Sequence, residues 1–131
     1  MIKNEDIEIF LDKCAFPYER LEEGIWKVDV PEDRVQGIVV SHEEPRVILE
    51  IRLMRVPDGA ESSFFRRLLE ANVKDITHGA FGIEDEYVLL IDRLESETID
   101  LAELKASIQS LSFSVVQYYK EFGSPGRTVG A

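Results

Sequence analysis

The sequence holds one cysteine and two histidines in 131 residues. A lone Cys14 excludes an internal disulfide. A chain of this length can bury roughly two thirds of its unfolded surface, so it needs no such staple. Cys14, His42 and His78 lie too far apart in sequence to show metal-ligand spacing, and no metal is expected. No serine sits in a G-x-S-x-G elbow, and there is neither a P-loop nor a G-x-G-x-x-G turn. Gly79-Ala80-Phe81-Gly82 is too short for phosphate binding and leads into a strand rather than a helix. These absences predict a protein that is not an enzyme and carries no cofactor. Positive charge is also scarce. Fifteen Lys and Arg against 26 Asp and Glu leave a net charge of −11, a field that repels nucleic acid and anionic membranes. No apolar run is long enough to span a bilayer. The stretch Met1-Ile2-Lys3-Asn4-Glu5-Asp6 has no apolar h-region, so no secretory leader is expected. With one free thiol, the reading is a cytoplasmic protein.

What remains is a globular pattern, 44% apolar and 31% charged. Asn4 reads as the N-cap of a first helix, with Glu5 and Asp6 in its first turn. Ile7, Phe10, Leu11 and Cys14 form one apolar stripe, and Pro17 ends it. Tyr18 to Leu21 and Ile25 to Val30 flank a Glu22-Glu23-Gly24 turn. Gln36 to His42 and Arg46 to Val56 flank Glu43-Glu44-Pro45. In the last of these strands Val47, Leu49, Ile51 and Leu53 share a core face, with Ile48, Glu50, Arg52 and Met54 on a mixed face opposite. A second helix opens at Asp58 with Glu61 three residues on, a capping-box pattern, and runs to about Asp75. A third hairpin, Ala80 to Ile83 and Tyr87 to Leu94, turns at Glu84-Asp85-Glu86.

The last helix starts at Asp100, with Glu103 completing a capping box and Ile99 and Leu104 a hydrophobic staple. Leu101, Leu104, Ile108, Leu111, Val115, Tyr118 and Phe122 then recur by threes and fours until Gly123 and Pro125. At 1.5 Å per residue this helix is roughly 33 Å long. It suits cover for the sheet better than a coiled-coil seam, because the strands otherwise have none. The order helix, hairpin, hairpin, helix, hairpin, helix makes a two-layer α+β domain with an antiparallel sheet. One domain is expected over 1–123, with a mobile tail over 124–131.

The acidic pairs Glu22-Glu23, Glu32-Asp33, Glu43-Glu44 and Glu84-Asp85-Glu86 all fall in turns. They read as solvated hairpin tips that discourage edge pairing, not as catalytic carboxylates or a calcium loop. His42 reads as a solvated strand end and His78 as a turn residue. Cys14, on an apolar stripe, reads as an inert buried thiol.

Residues Phe64 to Phe122 carry a resemblance. They comprise the helix Phe64-Phe65-Arg66-Arg67-Leu68-Leu69-Glu70-Ala71-Asn72, the strand start His78-Gly79-Ala80-Phe81-Gly82-Ile83, the strand Tyr87-Val88-Leu89-Leu90-Ile91, and the long last helix. This order resembles the type III secretion chaperone-like fold, which includes the bacterial sensory transduction regulator family of orphan chaperone-like proteins. The resemblance implies a dimeric cytoplasmic protein that holds an extended segment of a partner, or acts as a regulatory or stress adaptor. A small-molecule-binding domain, or an enzyme whose site the sequence does not display, is the other reading. The two differ in one observable: a wide apolar surface for the first, a pocket with converging polar groups for the second.

Two surfaces follow from the patterns. On the second helix Phe64, Phe65, Leu68, Leu69 and Val73 help cover about half the circumference, more than a single stripe of about 100°. They are the expected homodimer interface. Ile48, Met54 and Val56 on the mixed sheet face, with Phe113 and Val116 off the main stripe of the last helix, are the expected contacts for an extended protein client.

Overall fold

The computed structural model describes residues 1–123; the expected mobile tail lies outside them. The chain runs α1 (Asn4–Cys14), β1 (Tyr18–Glu22), β2 (Ile25–Val30), a short 3-10 turn (Pro31–Asp33), β3 (Val35–Glu43), β4 (Arg46–Arg55), α2 (Ser62–Lys74), β5 (Ala80–Glu84), β6 (Tyr87–Glu95) and α3 (Leu101–Phe122). All six strands join one antiparallel sheet in the order β1-β2-β3-β4-β6-β5. The sheet is therefore three hairpins laid side by side, with α2 as the crossover that lets β6 pair with β4.

Alternation decides which face is core. Trp26, Val28, Ile38, Val40, Val47, Leu49, Ile51 and Leu90 are buried on one face. α3 lies across that face, burying Leu104, Ile108, Leu111, Val115 and Tyr118. α1 packs beside α3 through Ile7 and Leu11. The α3 stripe also includes small polar residues. Ser107 and Ser112 are fully buried, and their hydroxyls donate to Asp92 and Asp33 at 2.7 Å. Small side chains there let the helix sit close to the sheet, and each hydroxyl has an acceptor, as burial demands. The expected start of α3 forms: Asp100 caps the helix, accepting from the Glu103 backbone N–H at 2.8 Å.

Three expectations are corrected. α1 is capped one residue early. The Lys3 N–H donates to the Asp6 carboxylate at 2.8 Å, and Asn4 is already helical. α2 starts at Ser62, not Asp58, because Pro57-Asp58-Gly59-Ala60 closes its own turn, with Ala60 N–H donating to the Pro57 carbonyl at 3.1 Å. Gly59 there has φ +73, outside the helical region. Last, His42 is no solvated strand end. Its side chain is 8% exposed, with Nδ1 against Asn4 Oδ1 and Nε2 against Glu44 Oε1, both at 2.6 Å. The β1 strand, the least regular in sequence, forms and pairs with β2.

Candidate functional site

The sheet has two edges, β1 and β5, and they differ. At β5 the side chain of Asn72 on α2 reaches the strand. Its Oδ1 accepts from the Phe81 backbone N–H at 2.6 Å, and its Nδ2 donates to the Phe81 carbonyl at 3.3 Å. Asn72 thus mimics a neighbouring strand at one residue of that edge. β1 has β2 as its only strand neighbour, and Glu19, Arg20, Leu21 and Glu22 are exposed. Leu21 on β1 is 51% exposed. Among the described residues, no side chain clamps the β1 backbone in this way.

α1 is tied along β1. Glu8 Oε1 accepts from Trp26 Nε1 at 2.9 Å and from Arg20 Nε at 2.6 Å. At the far end of the hairpin, Glu44 joins His42 to the buried Ser96, whose hydroxyl donates to Glu44 Oε2 at 2.7 Å. The Trp26 and Arg20 bonds hold the Glu8 carboxyl below its usual value of 4.5. Bonds from Ser96 and His42 do the same for Glu44. A carboxyl lowered in the fold adds stability that is present above its unfolded value and lost as pH falls through its folded value. Thermal unfolding followed through an acid titration is expected to show Tm falling from about pH 4.5 downwards. In the Glu8→Gln, Glu44→Gln double variant the fall should be shallower.

The expected client residues part company. Ile48 lies on the open sheet face, opposite Ser41 and Arg93. Met54 does not share that face. A β-bulge between Arg52 and Met54 breaks the alternation, so Met54 pairs with the buried Val88 and packs on the core. Arg55 comes out instead, and both Arg52 and Arg55 sit over the Tyr87 ring, at 4.5 and 5.5 Å. Val56 and Val116 are also half-buried against the core. β4 is hydrogen-bonded on both sides, so a client cannot add main-chain bonds there. Phe113 is 59% exposed.

The expected dimer residues divide by face. Leu68 is buried inside the protomer. Phe64 turns towards α3, edge-on to Phe122 at 5.7 Å. Leu69 and Val73, 65% and 84% exposed, form an outer strip, with Ile83 of β5 also exposed. Phe65, Leu68, Leu69, Phe81, Gly82 and Ile83 line an apolar groove of about 190 Å³ between α2 and β5.

The CesT_Tir_1 family model matches residues 2–124. The chain belongs to that family. CesT_Tir_1 is a family of type III secretion chaperones, so the resemblance carried by Phe64 to Phe122 holds over nearly the whole chain. No curated protein sequence matches. Solved structures share the fold at low identity. A chain in the crystal structure of the ExsC–ExsE complex is 16% identical with a TM-score of 0.65, covering 95% of this chain and 98% of that one. The Yersinia pestis type III secretion chaperone SycH, in complex with a stable fragment of YscM2, is 18% identical with a TM-score of 0.62 and coverages of 87% and 97%. YbjN from E. coli is 9% identical with a TM-score of 0.65 and coverages of 92% and 93%. The family is that of type III secretion chaperones, and the fold is shared with the solved structures named. Among the described residues, no helix is long and apolar enough to cross a membrane, and no group of three or more His, Cys, Asp or Glu could hold a metal ion.

Proposed function

We propose that this CesT_Tir_1 member is a non-enzymatic protein-binding module. It works as a homodimer in the cytoplasm and holds an extended segment of a partner protein along β1. The observation that carries this reading is the asymmetry of the sheet edges. Asn72 clamps β5 at Phe81, while β1 has no such clamp among the described residues and leaves Leu21 exposed. An extended segment added there gains main-chain hydrogen bonds without displacing any native pairing. A partner with basic side chains suits a chain of net charge −11. Neighbours of the same fold are found in complexes with partner proteins, ExsE for ExsC and a YscM2 fragment for SycH. The open sheet face at Ile48 and the exposed Phe113 are further contacts for such a segment.

The test uses the full chain with a photoreactive p-benzoylphenylalanine in place of Leu21. The cross-linked partner segment is identified and made as a peptide. Adding it to unmodified protein is expected to slow amide exchange at Tyr18–Glu22 at least tenfold. If the peptide binds and the β1 amides exchange as before, the edge is not the site.

A further inference from the structure

The His42 ring joins segments that are distant in the chain. It sits near the end of β3, on the core face, opposite the buried Val47. Nδ1 stands 2.6 Å from Asn4 Oδ1 in the first turn of α1, and Nε2 stands 2.6 Å from Glu44 Oε1 in the β3–β4 turn. The His42 backbone N–H donates to the Gly24 carbonyl of the β1–β2 turn at 2.8 Å. Ser96, just beyond β6, donates to the other Glu44 oxygen.

The partners decide where the ring protons go. The Glu44 carboxyl, held below its usual range by Ser96 and His42, offers only acceptors, so Nε2 must donate. Asn4 could present either end of its amide. Its Nδ2, however, lies 3.5 Å from Glu23 Oε1, and a carboxylate cannot donate. The amide NH2 therefore belongs at Glu23, the amide oxygen faces the ring, and Nδ1 must donate as well. A ring that donates at both nitrogens is the imidazolium. A neutral ring keeps both bonds only if Asn4 turns its amide over. That sets Asn4 Oδ1 against the Glu23 carboxylate, two acceptors face to face. The other charges around the ring are Glu5 and Asp6 in the first turn of α1 and the Met1 α-amino group, whose field reaches Glu44. Val47 and Ser96 carry none. Histidine is the side chain that gains and loses a proton between about pH 5 and 8.

We propose that His42 is a pH-responsive clasp. With two ring protons it holds the first turn of α1 to the β1–β2 turn; with one it releases Asn4. The clasp is closed where the ring is charged and opens as pH rises through the histidine range. The β1–β2 turn ends the edge strand proposed above for the partner, so opening loosens the strand that receives it. That consequence rests on the protein-binding reading; the clasp does not. Amide exchange on the full chain, with no partner added, is the test. The reporters are Asp6 and Ile7, whose N–H groups donate to the Lys3 carbonyl, and His42, whose N–H donates to Gly24. Protection factors, with the intrinsic pH dependence of exchange divided out, should fall about threefold from about pH 5.5 to about pH 7.0. That is part of the roughly tenfold effect of one charge-assisted hydrogen bond. Ordinary carboxylates are ionised throughout this window and an α-amino group is still largely charged. His42→Gln should leave protection flat across it. Glu23→Gln, at an exposed position, lets the Asn4 amide turn freely and should flatten the fall with the fold intact. Asn4→Asp, which sets a second carboxylate on the ring, should hold protection at the higher pH to its value at the lower. Equal protection at both pH values in the wild type overturns the clasp, as does a fall that survives His42→Gln or Glu23→Gln. Should His42→Gln fail to fold, Glu23→Gln and Asn4→Asp decide the matter. Cross-linking from position 21 reports separately on β1, so failure of either idea leaves the other measurable.

Discussion

Gly79→Ala is expected to destabilise the protein by about 3 kcal/mol, the sum of two costs that fall on one residue. Gly79 has φ +83, where a Cβ is strained whatever surrounds it. The space is also occupied. A Cβ built there would stand 2.5 Å from the Ile91 carbonyl oxygen. That oxygen belongs to β6, which is hydrogen-bonded to β4 on one side and β5 on the other, so it cannot step aside. Gly59 is the control. Its φ is +73, but nothing lies within 4 Å of its Cβ position. Gly59→Ala should cost only about 1 kcal/mol. Denaturant unfolding checks both, read as a shift in midpoint at constant slope. Equal losses in the two variants would show that the β5 start can relax and that contact with Ile91 is not limiting. The loss at Gly79 bears on function as well as stability. Gly79 sets the entry of β5, and with it the Phe81 backbone that Asn72 clamps.

The same region shows why part of this protein was legible in its sequence. Strands announced themselves by alternation: Val47, Leu49, Ile51 and Leu53 all proved buried. The spacing of Leu104, Ile108, Leu111 and Val115 placed α3 on the sheet for the same reason, since burial follows period. The Asn72 and Gly79-Ala80-Phe81 features that carried the family resemblance turn out to be one device, a side chain clamping a strand edge. Where the sequence misled, a local event interrupted the period. The bulge after Arg52 is one extra residue in a strand of alternating pattern, and nothing in Arg52-Leu53-Met54-Arg55 marks it. Met54 was therefore assigned to the wrong face. The capping pattern at Asp58 and Glu61 was real as letters, but Gly59 between them favoured a turn. The His42 network and the aromatic cluster join residues far apart in the chain, such as Asn4 with His42 and Phe81 with Tyr118. No short-range pattern encodes such meetings.

Replacing Leu69 and Val73 together by glutamate is expected to convert a dimer into a 15.0 kDa monomer without unfolding it. The two side chains are 65% and 84% exposed in the protomer, so each substitution alone should change its stability by no more than about 0.5 kcal/mol. An isologous interface between two α2 helices would use each position twice. Four carboxylates would then enter an apolar contact in a chain already at −11. An unpaired charge buried at an interface costs about 2 kcal/mol or more, so even one such charge weakens association by roughly thirtyfold. Leu68→Glu separates this from core damage. Leu68 is 4% exposed and belongs to the hydrophobic core, so that variant should unfold rather than dissociate. Sedimentation at micromolar concentration gives the readout. Wild type should sediment at twice the chain mass, the double variant at the chain mass with an unchanged far-ultraviolet circular dichroism spectrum. A wild type that sediments at 15.0 kDa would leave the apolar strip of Leu69, Val73 and Ile83 to another partner and remove the dimer from the proposed mechanism.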